Sequence, residues 1–262
     1  MDVPEQIKIN GYTFVKEPSR GHYRRGAPDA KNPERWAHRY VWFQQHGAVG
    51  NGFVIHHKNE MKWDNSPENL QRMSIKEHDE HHKHDKHTDN SKLLEKVKLR
   101  LEFLPDKQNI KVLEAFGGDG VTWDNVEKFT DKKITRLRID KKDDQKGVYL
   151  KGDNIKHLRS LDLSLFDVID LDAYGSPFSQ LEEVFLNDFK GVVIITFLQS
   201  GKGEISHGFL RNYGYSQEMI NKDRMLFTGK AMAIMDKYLF DNGVKKIKGV
   251  FSKKKNYFGF QI

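Results

Sequence analysis

Residues 52–78 read GFVIHHKNEMKWDNSPENLQRMSIKEH. A short apolar run ends in two adjacent histidines, His56 and His57. In a regular strand, neighbouring side chains point to opposite faces. Two imidazoles side by side therefore serve separate surroundings, or both serve one site if the strand ends there and the backbone turns. After them comes a polar segment, 62–70, broken by Asp64, Asn65, Ser66 and Pro67. Ser74 with Glu77 three residues on is a capping-box pattern, which predicts a helix over 74–87. His56 and His57, then Asn69, then His78 nine residues later are thus presented by a strand, a loop and a helix. Phosphodiester hydrolysis needs an activated nucleophile and stabilisation of charge on phosphorus and the departing oxygen. A histidine can supply the first and a divalent cation the second.

Around this stretch the chain is basic and free of cysteine. Its 262 residues carry a net charge of +7, which favours polyanionic partners without fixing a fold. The first ninety residues are near charge balance, and the excess lies later, notably in KKIKGVFSKKK at 245–255. With no cysteine, disulfides and thiolate zinc sites are excluded. Any metal must be held by His, Asp, Glu or Asn. No signal peptide or membrane-spanning run is visible, so a cytoplasmic location is expected. The length suits one large domain or two modest ones.

Two textures support the second option. Residues 1–90 combine weakly alternating stretches at 6–17 and 21–26, which predict a hairpin, with a helix over 33–47 that stops at Gly47. The segment 91–104 reads as an amphipathic helix ended by Pro105, a linker over 91–108. From 109 to 262 strands alternate with helices, which argues for a mostly parallel sheet. Strands are predicted at 110–116, 134–140, 166–172 and 191–197. Helices are predicted at 121–129, 181–189 and 229–243, and an edge hairpin closes the chain.

The run from Trp36 to His82 resembles an HNH endonuclease of the phage and homing type, whose fold is a ββα-metal finger. The resemblance rests on the lead-in helix, the His-His pair, the DNSPENL turn and the helical histidine. It implies that His57 is the general base, Asn69 the residue that orients it, and His56 and His78 the metal ligands. The metal would be Mg²⁺, with Mn²⁺ or Zn²⁺ as alternatives. His81, His82, His84 and His87 read as a solvated polar run, Trp36, Tyr40 and Phe43 as core. Arg20, Arg24 and Arg25 are candidate phosphate contacts, as is the run Lys253, Lys254, Lys255.

The second region carries VLEAFGGDG at 112–120, a strand running into a Gly-rich turn and a helix. Such turns let backbone approach a ligand closely at a helix N-terminus, but dinucleotide-binding folds share them. With DLDAYGSP at 170–177, this region resembles a class I S-adenosylmethionine-dependent methyltransferase, an α/β Rossmann-like fold. The motif is similar to that of tRNA guanine dimethyltransferases, with Ala173 in place of the usual proline. The resemblance implies cofactor contacts from Glu114, Gly117, Gly118, Gly120, Asp140 and Asp153. It further implies a target amine at Asp172 and a stacked base on Tyr174. Asp162 and Asp167 read as solvated or capping acids. The expectation is a bifunctional enzyme of nucleic acid, DNA before RNA, encoded by a phage or its bacterial host. The alternatives are a nuclease whose second domain only docks DNA or senses the cofactor, and an RNA methyltransferase with a binding-only HNH unit.

Overall fold

The computed structural model describes residues 3–17, 21–26, 33–84, 92–143, 148–173, 175–198, 207–222, 231–251 and 255–262. Arg20, His87, Tyr174, Lys253 and Lys254 lie outside them. The chain divides into two compact units, Met1–Leu94 and Glu95–Ile262.

The first unit opens with β1 (Gln6–Ile9), β2 (Tyr12–Lys16) and β3 (Tyr23–Arg24), an antiparallel sheet in that order. Asn10 and Gly11, both at positive φ, make the β1–β2 turn. Helix α1 (Ala37–His46) ends where Gly47 adopts φ 77° and its N–H reaches the Phe43 carbonyl, the left-handed stop that glycine favours. Phe14, Tyr23, Ala37 and Tyr40 form the core under this sheet. β4 (Phe53–His57) and β5 (Leu70–Ser74) then pair antiparallel, and α2 (Ile75–His84) follows at once. This is the ββα order that the family resemblance implied. The expected capping box closes α2: the Ser74 N–H donates to Glu77 (2.8 Å) and the Glu77 N–H to Ser74 Oγ (3.1 Å).

The second unit is a seven-stranded sheet with helices. Its elements are α3 (Leu93–Glu102), β6 (Asn109–Glu114), α4 (Val121–Glu127), β7 (Lys133–Asp140), β8 (Leu150–Lys151), α5 (Asn154–Ser160), β9 (Val168–Asp172), α6 (Phe178–Leu186), β10 (Val192–Leu198), α7 (His207–Asn212), α8 (Gln217–Lys222), α9 (Ala231–Asp241), β11 (Lys248–Val250) and β12 (Lys255–Gln261). The strand order is β11-β12-β10-β9-β6-β7-β8. β10, β9, β6, β7 and β8 run parallel, and β12 enters antiparallel between β10 and β11. This is the mostly parallel α/β sheet anticipated from the alternation of strands and helices. Buried Val, Ile, Leu and Phe from the central strands and from α6 and α9 make one continuous core, as expected for strands covered on both faces.

The closing hairpin forms one edge of the sheet as expected, with β11 outermost and β12 paired along its whole length with β10, Val192 opposite Gln261 through Leu198 opposite Lys255. Apolar residues in Tyr257, Phe258 and Phe260 make burial on both sides favourable. The segment read as a linker helix, α3, belongs from Glu95 onward to the second unit. It is anchored there because Lys96 and Arg100, spaced one helical turn apart, are both buried against acids of β9.

Candidate active sites

The two adjacent histidines obey strand alternation to the last residue of β4. His56 lies opposite Gln71 and His57 opposite Leu70, and both are buried. Their rings enter different surroundings. His56 faces the turn after the strand and helix α2: its ring centroid is 4.8 Å from that of His81 and 5.5 Å from that of His78. Its Nε2 is 3.4 Å from Glu60 Oε1. Ligand atoms of His56, Glu60 and His81 all lie within 4.8 Å of one another. Two imidazoles and one carboxylate suit Zn²⁺ or Mn²⁺, and a hard cation less well. Bonds of about 2.0–2.1 Å would place such atoms about 3.3 Å apart, so small side-chain rotations complete the set. The sequence reading named His56 and His78. His78 stands beside the cluster, and the structure adds Glu60 and His81. His81 is half-buried and does not share the solvated surface assigned to it. Its i, i+3 spacing from His78 was the available signal.

His57 points the other way, with ring centroids 5.4 Å from His22 and 5.1 Å from His38. Burial pushes its pKa down to about 4, against the opposing effects of Asn65 and Asp64. At neutral pH the ring is therefore uncharged and able to take a proton. Asn69 does not touch it. Its Oδ1 accepts from the Asn59 N–H (3.0 Å) and its Nδ2 donates to the Asp64 carbonyl (2.7 Å). Asn59 in turn donates to the Asp64 carboxylate at 2.6 Å. Asn69 thus braces the loop that leaves His57. Asn65 stands beside the ring instead, its Oδ1 3.4 Å from His57 Nε2.

Beside these histidines is a cleft of about 570 Å³ lined by Arg35, Arg39 and Lys62 along with Trp36. A second, of about 530 Å³, is lined by Lys16, Arg24 and Arg25 and shares Arg35 with the first. Basic clefts of this kind fit a phosphate backbone. Arg24 remains half-exposed. Arg25 does not suit the contact expected of it, because it is buried, donates to the Glu34 carbonyl and stacks on Tyr12.

In the second unit the predicted residues gather at the ends of β6, β7 and β9. Gly118 and Gly120 are left-handed, at φ 47° and 80°. A side chain at Gly117 would meet Arg138 Cβ at 2.8 Å, whereas one at Gly118 would meet open space. Asp140 ties the turn down, accepting from the N–H groups of Gly118 and Lys142 at 2.9 Å each. Glu114 is buried 3.6 Å from Arg136, and its Oε1 has no hydrogen-bond partner. Burial raises its pKa to about 8. An orphaned acceptor, open space above Gly118 and the strand-end acid Asp140 could receive a ligand carrying ammonium and hydroxyl groups.

The other predicted residues do different work. Asp153 is an N-cap of α5, accepting through Oδ1 from the N–H groups of Ile155 and Lys156. Asp172 is not open to a target amine, since Lys96 Nζ binds its two oxygens at 2.9 and 2.7 Å. Burial alone would raise its pKa, but Lys96 and Arg100 hold it well below the usual carboxylate range. Arg100 spans Asp170 with two bonds of 2.7 and 2.9 Å, and the Trp123 indole donates to the same carboxylate at 2.6 Å.

Residues 35–80 match the model of a family described as HNH endonuclease, which places the ββα unit and its lead-in helix within that likeness. No curated protein matches the chain. Among solved structures, a Listeria monocytogenes protein provisionally described as a class I S-adenosylmethionine-dependent methyltransferase is 15% identical, with a TM-score of 0.40. The match covers 66% of this chain and 60% of that one, so the chain spans less than two thirds of its length. A provisionally described hemolysin of Streptococcus thermophilus is 11% identical, with a TM-score of 0.42 over 67% of each chain. An S-adenosylmethionine-dependent methyltransferase of Aquifex aeolicus is 17% identical, with a TM-score of 0.40 over 68% of this chain and 97% of that one. At such scores the fold assignment rests on the strand order itself. Among the described residues, no helix is long and apolar enough to cross a membrane.

Proposed function

We propose that the first unit is a metal-dependent nuclease of nucleic-acid phosphodiesters, with duplex DNA as its substrate. The observation that carries this reading is the division of labour at the end of β4. A neutral, buried His57 stands on one face, and the His56, Glu60 and His81 donors stand on the other. In-line displacement at phosphorus needs a base on one side and charge stabilisation on the side of the departing oxygen. Adjacent strand residues meet that demand for a phosphodiester lying across the strand end.

His57 takes a proton from water as the water oxygen attacks phosphorus, and the bond to the leaving oxygen breaks on the opposite side. His56, Glu60 and His81, with His78 beside them, would hold a divalent cation, which would supply positive charge to the phosphoryl group and the leaving oxygen. Arg35, Arg39 and Lys62 hold the flanking phosphates. Asn69 positions the loop, and Asn65 orients the base. The test is nicking of supercoiled DNA by the full chain with Mn²⁺ or Mg²⁺. His57→Ala is expected to abolish nicking at all metal concentrations, while Glu60→Ala and His81→Ala raise the metal requirement. Unimpaired nicking by His57→Ala would end this reading.

For the second unit, Glu114, Gly118 and Asp140 support binding of S-adenosylmethionine, which supplies an electrophilic methyl group when bound. The pairing of Lys96 with Asp172 favours a unit that binds the cofactor without presenting an amine at Asp172. The nuclease would then carry a cofactor-sensing or docking module. Titration calorimetry of the full chain should show S-adenosylmethionine binding that weakens in Glu114→Gln. Tritiated methyl transfer to DNA or tRNA by His57→Ala protein would restore the bifunctional reading, with Asp172 and Tyr174 at its centre.

A further inference from the structure

We propose that His22, His38 and His57 form a second metal site, selective for a transition metal such as Zn²⁺, whose occupation disables the nuclease by taking the lone pair of its base. The metal site stands on its own geometry. Its inhibitory consequence rests on the reading of His57 as the base.

The three rings come from three separate elements. His22 directly precedes β3, His38 is the second residue of α1, and His57 ends β4. Their centroids are 4.8, 5.4 and 5.1 Å apart for the pairs 22–38, 22–57 and 38–57. One ring nitrogen of each lies within 4.8 Å of the others. His38 is 8% exposed, and its Nδ1 is buried without a hydrogen-bond partner. Leaving a buried nitrogen unpaired costs about 1–3 kcal/mol, a cost that a metal bond would remove.

Nothing in this cluster resembles a structural ion pair. The donor set holds three imidazoles and no carboxylate, and clustered imidazoles repel one another once protonated. As neutral rings they present three nitrogen donors with room for a fourth ligand, the set that zinc accepts. The nearby Arg39 is answered by Glu34 at 2.6 Å, which reduces its opposition to a bound cation. Nitrogen-only donors favour Zn²⁺ or Cu²⁺ and reject Mg²⁺. The His56 cluster, with its carboxylate, takes Mn²⁺ or Mg²⁺ more readily than three imidazoles do. Zinc can enter both sites, and the catalytic base is a ligand of only one of them.

The experiment is Zn²⁺ titration of metal-free full-length protein by calorimetry, paired with nicking assays at saturating Mg²⁺. The unmutated chain should bind two zinc ions. His38→Ala and the partly exposed His22→Ala should each lose one, and His81→Ala the other. Circular dichroism checks that each variant is folded. Zinc should inhibit the unmutated nuclease, and His22→Ala should need roughly 10–100-fold more zinc for the same inhibition, the scale on which metal sites respond to altered ligand shells. Full zinc stoichiometry in both His22→Ala and His38→Ala would overturn the site. Loss of one ion in both variants without relief of inhibition would keep the site and overturn its regulatory role. If the protein nicks nothing, the nuclease reading fails, and the stoichiometry still decides the metal site.

Discussion

Replacing Arg100 by methionine tests how the second unit tolerates its buried charges. The guanidinium is 1% exposed and Asp170 is 3% exposed. Arg100 gives Asp170 two bonds, gives the Lys96 carbonyl one at 3.0 Å, and approaches Asp172 at 3.4 Å. Methionine keeps the apolar stem and removes every donor. Asp170 is then left with the Trp123 indole, and the partly exposed Asp172 with Lys96 and the Thr196 side chain. Breaking one side of a buried pair costs about 3–5 kcal/mol, because the remaining charge is uncompensated. Adding Asp170→Asn removes that charge and keeps an acceptor for Trp123. The double variant should therefore lose only about 1–3 kcal/mol, the cost of unmatched neutral hydrogen bonds. The assay is urea unfolding of the full chain with Trp36, Trp42 and Trp63 changed to phenylalanine, so that Trp123 alone reports on its unit. The reasoning is refuted if Arg100→Met costs less than about 1 kcal/mol, or if the double variant is less stable than the single one.

Three further outcomes are expected. Asp153→Ala removes two cap bonds from α5 and should lower stability by about 1 kcal/mol, while calorimetry shows unchanged S-adenosylmethionine affinity; a large loss of affinity would restore Asp153 as a cofactor ligand. Asn69→Ala unties the loop between His57 and Asn65, so nicking should slow while zinc stoichiometry stays intact, a split that separates bracing from ligation. In metal-free buffer, the depressed pKa of His57 predicts that the unfolded chain binds the extra proton as pH falls. Stability is then full above about pH 6.5 and declines towards pH 4 by about 3 kcal/mol in all; unfolding curves for the parent and His57→Gln with the same pH dependence would contradict this.

What the sequence made legible was local. The capping box of α2, the stop at Gly47 and the opposite facing of His56 and His57 each depend on residues within a few positions. The strand β5 was hidden because LQRMS is largely exposed and carries little apolar alternation. The partner of Asp172 was hidden differently: Lys96 lies 76 residues away, on a helix whose pattern reads as an ordinary amphipathic one. His22 and His38 gave no signal at all, because neither has a telling neighbour in sequence. Only the meeting of β3, α1 and β4 turns them into a cluster with His57. Asp153 carries a second duty that the strand-end pattern did not signal, the capping of the next helix.

The placement of β12 sets an order of maturation. Residues 255–261 form an interior strand, flanked by β10 on one side and β11 on the other. The second unit therefore cannot complete its sheet until those residues leave the ribosome. Every element of the ββα unit has emerged by residue 84, and domains of a nascent chain fold in order from the N-terminus. At about 5–20 residues per second, the histidine sites are assembled many seconds before the sheet of the second unit is closed. A catalytic unit would thus exist during synthesis ahead of any control exerted through the later one.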